Sequence, residues 1–291
     1  RNNAPHPLHT APASAPYLTP AHRLMMEKGE EMLLGTEILK IALGVQKAII
    51  GIENNKPDAI EHLSKLAAGF KGIEVQGLRV KYPQGAEKQL IKALINREVP
   101  SGKLPIEVGA VVNNAGTAFA VYEAIQKNKP LIERVVTITG KSVKKPGTVM
   151  VRIGTPVQEL VDAAGGLPVD TGKGIGGGPM MGKALNSLDV PVVKGTSGIL
   201  IMPETESERK PVLNCIRCAK CVTVCPMGLE PYLLEKLVMF EDFERTEQER
   251  VMDCIECGSC HYTCPAGRPL LDYLRLGKNK VGHLIRTRSK K

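Results

Sequence analysis

Cys215-Ile-Arg-Cys218-Ala-Lys-Cys221-Val-Thr-Val-Cys225-Pro226 is answered further along the chain by Cys254-Ile-Glu-Cys257-Gly-Ser-Cys260-His-Tyr-Thr-Cys264-Pro265. The two runs contain all eight cysteines. Three closely spaced thiolates and a fourth before proline is the spacing that holds [4Fe–4S] cubes. Where two such runs share a chain, the fourth cysteine of each ligates the other cube. The expected sets are therefore crossed: Cys215, Cys218, Cys221 and Cys264 for cluster 1, and Cys254, Cys257, Cys260 and Cys225 for cluster 2. Thiolate sets of this kind pass electrons one at a time.

Two other readings compete. Disulfides belong to oxidising compartments, yet no secretory apolar run precedes the motifs and the first 214 residues hold no cysteine. The expected compartment is reducing, the cytosol of a bacterium. Zinc is the stronger rival, because paired C-x-x-C motifs also form four-thiolate zinc sites. Zinc has no use for a third cysteine at the same spacing, or for a following Cys-Pro, in both copies.

The length of 291 residues suggests two or three domains, each able to bury a core. The richest apolar stretch, Leu39 to Ile52, is interrupted by Lys40, Gln46 and Lys47. It is too short and too charged for a membrane helix of about 20 apolar residues. The net charge is +9, part of it in the segment from Arg275 to Lys291, which has seven Lys or Arg and no acid. That segment suits a solvated terminus, an anionic lipid surface or an acidic redox partner. Nucleic acid is not an expected partner, since aromatics make up only 3% of the chain and no nucleic-acid motif is present. Residues 1–20 contain five prolines and no acid, so residues 1–21 read as an extended, poorly ordered or divergent start.

From 22 to 130 helices alternate with strands. His22 to Gly44 is helical, Lys47 to Ile52 a short buried strand, Pro57 to Phe70 a helix, Ile73 to Val80 a strand and Glu87 to Asn96 a helix. Val111 to Thr117 runs from a strand into a loop, with a helix expected from about Ala118. This alternation predicts an α/β domain with a largely parallel sheet, whose ligands sit at the carboxyl ends of its strands. Residues 131–204 start with a strand at Arg134 to Thr139 and return at Thr148 to Ile153. A helix then opens on Thr155-Pro156, with Gln158 completing a capping box. Val190 to Met202 supplies further strand. These elements predict a small β-grasp module. Residues 205–291 hold the cysteine runs, and the charged, Leu-bearing segment Glu230 to Arg250 between them predicts a helical two-cluster domain.

The glycine cluster Gly174 to Gly182 lacks the Lys-Ser/Thr of a phosphate loop, so a tight turn packed on a neighbour is the preferred reading. No histidine pairs with Cys, Asp or Ser at a catalytic spacing. His261 reads as a cluster-flanking side chain, and Glu241 to Glu249 as a solvated helix face.

With these stretches assembled, the chain resembles the C subunit of the Rnf complex (the RnfC family), an ion-translocating ferredoxin:NAD oxidoreductase. The match is carried by PYLT at 16–19, YPQGAEKQLI at 82–91, NAGTAFAVYEAI at 114–125, VRIGTP at 151–156, GGGPMMGKAL at 176–185 and both cysteine runs. The resemblance implies a flavin- and NADH-module-like α/β domain, a soluble-ligand-binding β-grasp (SLBB) module and a domain with two [4Fe–4S] clusters. It also implies a peripheral protein on the cytoplasmic face of a bacterial inner membrane. Its partners would be the membrane subunits of the Rnf complex, the ferredoxin-like B subunit and ferredoxin, and electron flow would be coupled to ion transport. FMN and NADH are the family's further cofactors, and Glu87 and Asn114 match positions that line the flavin site. Departures fall on the same site: the family's Glu, Cys, Glu and Asp are replaced here by Ala13, Ser14, Ala15 and Ala21, and the family's glycine-rich loop is not in these residues. The alternative reading is a soluble, corrinoid-reducing protein of the propanediol-utilisation type, or a cluster-bearing scaffold without flavin.

Overall fold

The structure is a computed structural model that describes residues 6–10 and 16–288. The chain forms two compact units, residues 1–207 and 208–291. The expected segments 22–130 and 131–204 both fall in the first.

The first unit begins with β1 (His6–Thr10), followed by α1 (Pro20–Glu27), α2 (Gly29–Ala42), β2 (Ala48–Glu53), α3 (Pro57–Ala67), β3 (Ile73–Leu78), α4 (Glu87–Ile95), β4 (Ala110–Asn114) and α5 (Ala115–Gln126). The four strands form a parallel sheet in the order β3-β2-β1-β4. Every residue of β2 is buried, as a parallel strand covered on both faces requires. Ala48, Ile50 and Ile52 meet the cluster built by α1, α2, α3 and α5. Ile49 turns to the other face, against Leu90 and Ile91 of α4. The alternation of β2 thus places helices on both sides of the sheet.

Two expectations change here. His6–Thr10 is not a loose start but a strand hydrogen-bonded to both β2 and β4. Composition predicts disorder from proline and missing acids; the slot between two strands supplies backbone partners that composition does not register. The expected replacements at Ala13, Ser14 and Ala15 lie outside the described residues. The single helix expected from His22 is two, interrupted at Lys28. α2 then runs very close to α5: a Cβ on Gly35 would sit 1.8 Å from the Ala118 carbonyl oxygen, so only glycine fits.

The unit continues with β5 (Glu133–Thr139), β6 (Gly147–Arg152), α6 (Val157–Ala163), β7 (Thr171–Gly176), β8 (Lys183–Ala184), β9 (Gly198–Pro203) and α7 (Glu204–Ser207). The sheet order is β6-β5-β9-β7-β8, with β5 and β9 parallel and the other pairs antiparallel. α6 covers it through Val157, Leu160 and Val161 against Val136, Ile138, Ile199 and Ile201, which is the β-grasp arrangement. The expected Thr155 cap is absent: Pro156 is the cap residue and no side chain caps the helix. The backbone amides of Val157 and Gln158 instead donate to the carbonyls of Val190 and Leu188. The segment Val190–Ser197, expected as strand, serves that purpose and leaves only Gly198–Pro203 in the sheet. The glycine cluster is a close approach of backbone to backbone, since a Cβ on Gly182 would lie 2.5 Å from the Gly178 carbonyl oxygen.

The second unit is helical: α8 (Lys220–Thr223), α9 (Pro231–Met239), α10 (Phe243–Gln248), α11 (Ser259–Thr263) and α12 (Leu270–Arg288). The expected helix from Glu230 to Arg250 is split between α9 and α10, where Glu241 takes a left-handed φ of 56°. Its core joins Leu229, Leu234, Val251, Leu270, Leu274 and Val281 to Cys221 and Cys260.

Candidate iron–sulfur centres

Each cysteine run wraps through left-handed backbone before its third cysteine enters a one-turn helix. Arg217 and Glu256, the second residues between the first cysteine pairs, have φ 54° and 55°. Ala219 and Gly258, directly after the second cysteines, have φ 57° and 80°. Gly228 and Gly267, three residues after the last cysteines, have φ 63° and 61°. Arg217, Ala219 and Glu256 adopt this conformation although they carry a Cβ, which costs free energy there. That two runs differing in side chains share it points to one backbone task performed twice: curling the chain between its cysteines.

The result is two recesses. Cys215, Cys218, Cys221 and Cys264 line one, with Tyr232 and Arg268. Cys225, Cys254, Cys257 and Cys260 line the other, with Leu271 and Leu274. The last cysteine of each run is thus gathered with the first three of the other. Cys215 and Cys218 are exposed, whereas Cys257 and Cys260 are buried, so the first recess is the open one.

All eight thiols are free of disulfides. Burial pushes the Cys254 thiol up to about 11 and the Cys260 thiol up to about 12. Cys221 is raised for the same reason. Such thiols become thiolates when a metal takes the proton's place. Among the described residues no three His, Cys, Asp or Glu side chains converge on one point as a single-ion site requires. A zinc ion would draw its sulfurs to about 2.3 Å. A four-iron cube binds each thiolate to a different iron and needs a wider ring of donors.

Residues that carry no motif hold these recesses. Arg268 Nε donates to both carboxylate oxygens of Glu235, at 2.9 and 2.7 Å. Its Nη1 reaches the Leu213 carbonyl at 3.2 Å, which ties down the loop carrying Cys215. Glu235 is 1% exposed, and its carboxylate keeps the Arg268 guanidinium charged, raising it above its ordinary value. At the second recess Lys278 donates to the Cys254 carbonyl at 2.7 Å and to Glu256 at 2.9 Å. The available signal in the sequence was a lone Glu235 inside the apolar run Leu233, Leu234, Leu237 and Val238. His261 flanks Cys260 as expected, and burial holds its imidazole below the usual value.

The residues matched to a flavin site belong to the first unit, where they follow the carboxyl ends of its parallel strands. Sheet order reverses between β1 and β4, and in open parallel sheets ligands sit beyond the strands' carboxyl ends at such a reversal. Asn114 Oδ1 accepts from the Gly116 amide at 2.8 Å and is thereby committed to capping α5. Glu87 stands exposed at the first turn of α4. Ala21 is buried in the apolar core and offers no oxygen.

Residues 11–123 match the Nuo51 FMN-binding domain, 135–184 the SLBB domain and 208–265 the 4Fe-4S dicluster domain. The chain thus joins a domain similar to the Nuo51 FMN-binding domain, an SLBB-type β-grasp module and a domain of the 4Fe-4S dicluster class. Over 222 residues the chain is 47% identical to the C subunit of the proton-translocating ferredoxin:NAD(+) oxidoreductase complex of Clostridium ljungdahlii, covering 76% of this chain and 48% of that one. It is 45% identical to the C subunit of the Na(+)-translocating ferredoxin:NAD(+) oxidoreductase complex of Acetobacterium woodii, covering 91% and 60%. The chain belongs to the family of these C subunits, and spans about half the length of these relatives. The fold also matches an NAD+-reducing [NiFe]-hydrogenase in its H2-reduced state, with a TM-score of 0.61 at 17% identity, over 95% of this chain and 57% of that one.

Proposed function

We propose that this chain is the electron-relaying part of the C subunit of an ion-translocating ferredoxin:NAD oxidoreductase complex. Cys215, Cys218, Cys221 and Cys264 hold one [4Fe–4S] cluster; Cys225, Cys254, Cys257 and Cys260 hold the other. Bound there, the clusters supply one-electron transfer between a two-electron donor and a one-electron partner. The chain's own residues keep the sulfurs in place: the left-handed turns at Arg217, Ala219, Glu256 and Gly258 orient them, and Arg268 and Lys278 anchor the loops that bear them. Leu271 and Leu274 wall the second recess against water. The observation that carries the reading is the crossed grouping of eight cysteines into two recesses.

No described helix is long and apolar enough to cross a membrane. On this reading the chain sits at the cytoplasmic face, held by the membrane subunits of the complex and passing electrons to its ferredoxin-like B subunit. Ferredoxin and NAD(H) are the substrates of the whole assembly. Anaerobic reconstitution with iron and sulfide, followed by iron analysis and EPR of the reduced protein, tests the proposal. About eight irons and two interacting signals support it, since two four-iron cubes are expected. About four irons, or zinc in their place, refute it.

A further inference from the structure

The cations beside the two recesses are arranged differently. At the first, Arg268 pairs with Glu235 and reaches the chain at Leu213, two residues before the first ligand. At the second, the carboxylate of Glu256 receives both Arg275, at 3.1 Å, and Lys278, at 2.9 Å. Lys278 shares that carboxylate and also donates, at 2.7 Å, to the carbonyl of the ligand Cys254 itself. The sulfurs of this set have donors as well. The Leu229 amide lies 3.4 Å from Cys225 Sγ and the Glu256 amide 3.4 Å from Cys254 Sγ, and the Cys257 thiol donates to the Ser259 hydroxyl at 3.4 Å, a hydroxyl that turns donor once that sulfur is a thiolate.

Reduction of a cube held by four thiolates adds one electron and breaks no bond, so its whole cost lies in placing further negative charge. Burial raises that cost; a nearby cation and hydrogen bonds to sulfur lower it. The second recess is the more enclosed of the two, and it is there that an ammonium is bonded to a ligand residue. We infer that Lys278, assisted by Ser259, sets the reduction potential of the second iron–sulfur site, holding it above the value its burial would otherwise give. Lys278 acts through the electrostatics of the ligand loop and is a positioning residue. The inference rests on the two-cluster reading above.

The test is an EPR-monitored potentiometric titration of the full chain, reconstituted anaerobically and reduced with dithionite. The step perturbed by Cys254→Ser identifies the second site. Lys278→Met should shift the equilibrium of that step about tenfold toward the oxidised form, a fall of about 59 mV for one electron. The first step should not move, and Lys278→Arg should restore the parent value. Ser259→Ala should lower the same step by less. About eight irons with an unmoved second step in Lys278→Met overturns the inference alone; about four irons in the parent overturns the two-cluster reading and the inference with it. If Lys278→Met fails to load the second cube, Ser259→Ala decides, and an unchanged midpoint there overturns the inference.

Discussion

Arg268→Met should weaken the second unit more than the loss of any surface ion pair would. Glu235 is buried and bound by Arg268 through two hydrogen bonds. Removing the guanidinium leaves a carboxylate without its cation inside the helical core, which costs about 3–5 kcal/mol. At 1.4 kcal/mol per decade this is between about a hundredfold and a few thousandfold in the opening equilibrium. The same substitution frees the Leu213 carbonyl, so the damage should begin in the loop of Cys215 and Cys218. The double variant Glu235→Leu with Arg268→Met removes both charges and should recover most of the loss, because apolar replacement of a whole buried pair is often neutral. Anaerobic urea unfolding of the reconstituted chain, followed by the visible absorption of the clusters, measures the change, and EPR tells which cube is lost first. A single variant within about 1 kcal/mol of the parent would refute the reasoning. So would a double variant no better than the single one.

Cys225→Ser should disturb the cube of Cys254, Cys257 and Cys260, and Cys264→Ser the cube of Cys215, Cys218 and Cys221; EPR of each variant checks this, and damage confined to the mutated run would show local ligation. In the metal-free chain, iodoacetamide at neutral pH should label the exposed Cys215 and Cys218 well before Cys254 and Cys260, whose thiols are pushed up to about 11 and about 12 and so hold their protons; peptide mass spectrometry with time reads the order, and uniform labelling would contradict it. The 291-residue chain should bind FMN weakly or not at all and should not oxidise NADH. Two lost contacts to a charged group, at about 1.5–3 kcal/mol each, weaken binding by at least about a hundredfold. Calorimetric titration with FMN, with an anaerobic NADH-to-ferricyanide assay, decides; micromolar binding with turnover would contradict the expectation.

The cysteine spacing was enough to expect Cys225 beside the second run and Cys264 beside the first, and the two recesses are lined in those groups. The short apolar run from Lys47 to Ile52 was enough to mark a buried strand, observed as Ala48–Glu53. Both properties are local in the chain, and so is the breaking power of the glycines and prolines that separate the elements. Other features depend on what lies far away in sequence. The slot between β2 and β4 makes a strand of His6–Thr10 despite its composition. Backbone carbonyls at Leu188 and Val190 cap α6 in place of the expected Thr155. The pairing of Glu235 with Arg268, and the sharing of Glu256 between Arg275 and Lys278, join residues separated by 19 to 33 positions. A charge's worth is set by its burial and its neighbours, and neither is written in the residues beside it. The candidate donors could therefore be picked out along the chain. The field in which they sit was decided only when the helices packed.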